Sequence, residues 1–96
     1  MDVSVTYSDQ LLLSKLGYEG EEGVILLLRI QLLKAIKKEI EKRGWSQVEA
    51  AEFLEVKQPR ISEIKQLRID KFSVEKLAKL LHRLDKRISL SVGGKG

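Results

Sequence analysis

The stretch around residues 46–66 constrains this chain most, because it punctuates two short helices in quick succession. Ser46 stands three residues before Glu49, so Ser-Gln-Val-Glu forms a capping box. The serine oxygen takes a free N–H of the first turn, and the glutamate reaches back to the serine N–H. The helix it opens runs through Ala50, Ala51 and Leu54. A second begins near Lys57-Gln58-Pro59, where a first-turn proline costs no intrahelical bond. Ala50 and Ala51 allow the two helices a close approach, while Leu54, Val56, Ile61 and Ile64 supply a shared apolar core. Short helices joined by a tight turn with this spacing form a helix-turn-helix.

The flanking sequence supplies the scaffold. From about Glu21, Ile25, Leu28, Leu32, Leu33, Ile36 and Ile40 recur at helical spacing, and Gly44 ends that long helix. Lys34, Lys37, Lys38 and Lys42 read as its solvated face. A last helix is capped by Ser73, with Phe72 placed to pack on Leu77, and continues through Ala78, Leu80, Leu81 and Leu84. Residues 87–92 then alternate strictly, which predicts a short strand stopped by Gly93-Gly94. A lone strand needs a ladder partner, and a symmetry mate is the economical one; Val3-Ser4-Val5 is the lesser candidate. The expected fold is all-α: a bundle of four to five helices, which through residues 47–66 resembles the lambda repressor-like fold, with a C-terminal strand that pairs in a dimer. Residues 1–22 form an N-terminal acidic arm and 23–96 the helix-turn-helix domain.

Ninety-six residues allow a single domain in which burial is marginal, so association helps stabilise it. With no cysteine and one histidine, His82, no Cys/His metal cage can form, and neither metal nor cofactor is expected. No nucleophile–base pair or phosphate loop appears, so an enzyme is not expected. The longest apolar run, at residues 24–28, is far short of the roughly 20 residues that span a bilayer. The Met-Asp start lacks a basic region, so no signal peptide is expected. The net charge of +4 divides unevenly: residues 1–28 carry −4 and residues 29–96 carry +8. A basic body suits a polyanion, and an acidic head suits another task.

At residues 58–63 (Gln-Pro-Arg-Ile-Ser-Glu) and 69–74 (Ile-Asp-Lys-Phe-Ser-Val) the chain resembles the HigA-type antitoxin branch of Cro/repressor-like regulators. Leu16-Gly17-Tyr18 and the strand at 87–92 fit the same branch. Glu55 and Leu67 stand where that family commonly has glycine, and Lys57 where it has a Ser/Thr cap. The resemblance implies a prokaryotic, cytoplasmic, nucleoid-associated repressor that is the antitoxin of a type II pair and autorepresses its operon. Its partners would be a palindromic double-stranded DNA operator, a second copy of itself and a small basic mRNA-cleaving toxin, with no membrane.

A recognition helix entering the major groove N-terminus first would present Lys57, Gln58, Pro59, Arg60, Ser62, Glu63 and Gln66. Gln58 suits adenine and Arg60 guanine or phosphate; Glu63 is either a cytosine reader or a salt-bridged acid. In resembling repressors, glutamines at the positions of Gln47 and Gln58 meet, the first touching phosphate. Lys65, Arg68 and Lys71 are phosphate candidates. Ile88, Leu90 and Val92 are the expected dimerisation residues. Leu11, Leu12, Leu13, Leu16 and Tyr18 would dock on the toxin. Trp45 reads as a core residue rather than a stacking platform, and His82 as a surface one. Two other readings stay open: a stand-alone repressor of phage or host genes, and a protein-interaction module that no longer reads DNA.

Overall fold

A computed structural model describes residues 2–5, 15, 17 and 20–92, with the backbone alone for 2–5 and 90–92. The element order is β1 (Asp2–Val5), α1 (Gly20–Arg43), α2 (Gln47–Leu54), α3 (Gln58–Lys65), a 3-10 turn (Ile69–Lys71), α4 (Val74–Arg83) and β2 (Ser89–Val92). The long helix α1 carries Glu21 and Glu22 in its first turn and Lys42 and Arg43 in its last, both favourable to the helix dipole. Its C-terminal half contributes Leu32, Leu33, Ile36 and Ile40 to the core. Ala50, Ala51 and Leu54 of α2, Ile61 and Ile64 of α3, and Phe72, Leu77, Leu80, Leu81 and Leu84 complete it. Among the described residues no polar or charged side chain is buried with them.

Both serine caps form. Ser46 Oγ accepts from the Glu49 N–H at 3.1 Å, and Glu49 Oε1 accepts from the Ser46 N–H at 3.1 Å. Ser73 Oγ accepts from the Lys76 N–H at 3.0 Å. Phe72 and Leu77 are buried in the same cluster. The helix ends are less conventional. Glu55, Leu67 and Asp85 all adopt left-handed backbone, with φ of 57°, 55° and 58°. Each is followed by a residue whose N–H bonds five positions back: Val56 to Ala51, Arg68 to Glu63 and Lys86 to Leu81. That bond satisfies an orphan helix carbonyl and draws the chain through the turn despite the Cβ penalty.

Two arginines tie these ends together. Arg83 Nη1 donates to the Leu54 carbonyl at 2.7 Å, and Arg43 Nη2 donates to the Leu84 carbonyl at 2.9 Å. Arg43 also bonds Glu39 at 2.9 Å, and Lys86 approaches the other Glu39 oxygen at 3.3 Å. The Arg43 guanidinium lies 4.9 Å from the Trp45 ring centre, and Trp45 packs at 4.5 Å on Phe53. Trp45 is thus half-buried against the core.

The β2 strand finds its ladder partner in the same chain, in β1, the lesser of the two partners that the alternation allows. The strands are parallel, with Asp2 beside Ser89, Val3 beside Leu90, Ser4 beside Ser91 and Val5 beside Val92. A parallel pair needs a long crossover, and here the helical bundle lies between its strands. Among the described residues no third strand joins them.

Two consequences can be measured. Left-handed backbone costs a non-glycine residue about 1–2 kcal/mol, against about 0.5–1 kcal/mol for the extra freedom of an unfolded glycine. Glu55→Gly should therefore raise stability by about 0.5–1 kcal/mol in urea unfolding, and a lowered midpoint would contradict the strain assigned there. Acid should act oppositely. Burial pushes the Glu39 carboxyl up, but its bonds to Arg43 and Lys86 outweigh this and leave it below the usual range. Bonds from Ser46 lower Glu49, and Arg68 lowers Asp70. Depressed carboxylates contribute stability that is present above their unfolded pKa and lost as pH falls through the folded one. Unfolding midpoints should drop steadily below about pH 4.5, less steeply in Glu39→Gln, whose parallel decline would refute the assignment.

Candidate nucleic-acid interface

The helix α3 has two unlike sides. Ile61 and Ile64 are fully buried, which contributes about 1.5–3 kcal/mol each and pins the helix to the bundle. The opposite side presents Lys57, Gln58, Pro59 and Arg60 to solvent. Pro59 lies in the first turn, and Lys57 at the cap makes no side-chain bond to the helix N–H groups. The positive end of the helix is therefore open, with a cation at its cap and another, Arg60, one turn on.

Glu63 resolves as the salt-bridged acid. Arg60 Nη1 reaches both its carboxylate oxygens at 3.3 Å, and the guanidinium carbon lies 6.0 Å from the Phe72 ring centre. The Glu63 side chain is only 20% exposed, against 48% for Arg60, so the arginine remains the available member of the pair. Gln66 Nε2 donates to Ser62 Oγ at 3.2 Å, one turn apart on α3. Arg68 is paired with Asp70 at 3.4 Å, which leaves the cation exposed but partly neutralised. Lys65 is half-buried. Gln47 and Gln58 are both exposed, and no hydrogen bond between them occurs among the described residues. Each side chain faces solvent.

A concavity beside the α3 N-terminus is lined by Glu55, Val56, Lys57, Arg60, Lys71, Phe72 and Lys76. Four cations from three elements thus converge on one surface. Lys76 is the member that the linear reading missed. The Ser73 cap places Lys76 in the first turn of α4, and only the fold brings that turn beside Val56 and Lys57. Such a surface can hold a phosphate backbone while the α3 side chains reach base edges.

Other expected sites fall elsewhere. Ile88 is 40% exposed just before β2, and Leu90 and Val92 occupy its ladder positions opposite Val3 and Val5. Leu11, Leu12, Leu13, Leu16 and Tyr18 lie outside the described residues. His82 is exposed on α4, and no cluster of metal-ligating residues occurs among the described ones. No helix among the described residues is long and apolar enough to cross a membrane.

No curated protein and no solved structure matches the chain. A family model described as a helix-turn-helix domain matches residues 15–93, which spans α1 to α4 and β2. The chain belongs to this helix-turn-helix domain family, as a DNA-binding regulator of the Cro type.

Proposed function

We propose that this protein is a sequence-specific repressor that works as a homodimer on a palindromic operator, in a prokaryotic cytoplasm at the nucleoid. We propose further that it is the antitoxin of a type II toxin–antitoxin pair and autorepresses its operon. One observation supports the DNA reading above the others: α3 is anchored by Ile61 and Ile64 while Lys57, Gln58 and Arg60 stay exposed. Gln58 would read adenine and Arg60 guanine, with Ser62 and Gln66 as further edge contacts. Lys71 and Lys76, with Lys65, Arg68 and the Gln47 end of α2, would hold phosphate and set the register. Nothing in this role requires a catalyst or a cofactor.

Dimerisation fits a two-fold operator whose half-sites lie about 34 Å apart. The outer edge of β2 offers backbone groups for a second copy, with Ile88, Leu90 and Val92 as the contact residues. The toxin reading draws on the charge split and on the leucines of the acidic arm, which suit a basic ribonuclease. The second reading, a protein-interaction module, draws on Val48 and Phe53, which are 48% and 47% exposed on α2. The two differ in one assay. A repressor binds a duplex from its own upstream region with steep salt dependence, and a module does not.

In fluorescence anisotropy with that duplex, Arg60→Ala should weaken binding roughly 5- to 150-fold and relax preference at one base pair. Unchanged affinity and preference would refute the recognition role. For the toxin, a triple substitution L11D/L12D/L13D spares β1 and should keep operator binding. It should also abolish growth rescue when expressed with the small basic ribonuclease encoded beside it. Full rescue would remove the arm from toxin binding.

A further inference from the structure

The helix α1 is longer than the bundle it scaffolds. At 24 residues it extends roughly 36 Å, yet its fully buried side chains begin only at Leu32. The stripe that buries Leu33, Ile36 and Ile40 continues towards the N-terminus, at spacings of three and four, through Arg29, Leu26, Ile25 and Glu22. There it has left the helical core, with Glu22 and Ile25 exposed and Leu26 and Arg29 half-buried. Glu22, Ile25, Leu26 and Arg29, with Glu21, line one surface concavity, and Ile25 is 40% exposed. The run at residues 24–28 is apolar on every side of the helix, a pattern found where a helix is covered all round. The Arg29 Nε is shielded from solvent and has no acceptor among the described residues.

We infer that this overhang pairs, antiparallel, with the same segment of a second copy of the chain. The charge order along the stripe is the reason. It reads acid, apolar, apolar, base, and is antisymmetric about the midpoint between Ile25 and Leu26. A two-fold axis through that midpoint, perpendicular to the helix, brings Glu22 onto Arg29 of the second copy and Ile25 onto Leu26. Glu22 and Arg29 each lie about 5 Å along the axis from the midpoint, so both ion pairs form at once and close the contact. The stripe is complementary to itself. This deepens the dimer reading above by naming a helical surface separate from β2, and it does not depend on DNA binding.

The test uses the full chain in analytical ultracentrifugation. Glu22→Arg and Arg29→Glu should each weaken the dimer about tenfold or more, because each replaces two attractive pairs with two repulsive ones. The double variant E22R/R29E should restore it. Both positions lie on the surface contact, and unchanged helical circular dichroism confirms that the variants fold. Because the chain has no cysteine, Ile25→Cys is a unique reporter. Mild oxidation should link it as a dimer, whereas Lys38→Cys, exposed at the far end of α1, should stay monomeric in non-reducing gels. A dimer indifferent to either reversal, a double variant that is not restored, an unlinked Ile25→Cys, or a monomer at every concentration would each overturn the inference. If Leu90→Lys alone dissociates the dimer, the β2 reading stands and the α1 pairing falls. Lost operator binding with the dimer intact would count only against the DNA reading.

Discussion

Ile61 and Ile64 carry the dependence on which the molecule is built. The helix to which they belong is eight residues long, too short to hold its shape alone in water. It exists because those two side chains are fully buried against the bundle. With about one residue in four tied to the core, the remaining turns stay free to carry Gln58 and Arg60. A surface able to approach a duplex closely is thus a by-product of how little of α3 the core consumes. The long α1 and the amphipathic α4 are the walls that make this possible.

The same economy governs the helix ends. Short helices leave a large share of their N–H and C=O groups without partners. Here two serines serve N-termini, and two arginines reach across the bundle to carbonyls at the ends of α2 and α4. Arg43 joins this to an ion pair with Glu39 and a face on Trp45. Three other cations, Lys57, Lys71 and Lys76, collect with Arg60 around one concavity. Charge is therefore divided between holding helix ends and presenting a positive surface.

Features set by residues within a turn of one another were legible in the sequence. The Ser46–Glu49 box, the Ser73 cap, Pro59 in the first turn of α3 and the buried face of α1 follow from spacing alone. Features set across the chain were not. The turns at Glu55 and Leu67 fall between the two: residue-type preference argues against left-handed backbone there, the glycines of the resembling family argue for it, and the local bonds from Val56 to Ala51 and from Arg68 to Glu63 hold it. Strict alternation located β2 but could not choose its partner, because β1 lies at the other end of the chain and the ladder closes only after the bundle forms. At the interface, Arg60 and Lys57 were readable from the motif. The pairing of Glu63 and the approach of Lys76 needed the fold.

The central claim is that α3, with the cations beside its N-terminus, is the surface that meets DNA. Amide resonances followed while the labelled protein is titrated with a duplex from its own upstream region test this most directly. The largest shifts should fall on residues 57–66, Lys71 and the first turn of α4, with the solvated face of α1 (Lys34, Lys38, Glu41 and Lys42) unaffected. Shifts confined to α1, or to the Val48 and Phe53 face of α2, with residues 57–66 unmoved, would contradict the account.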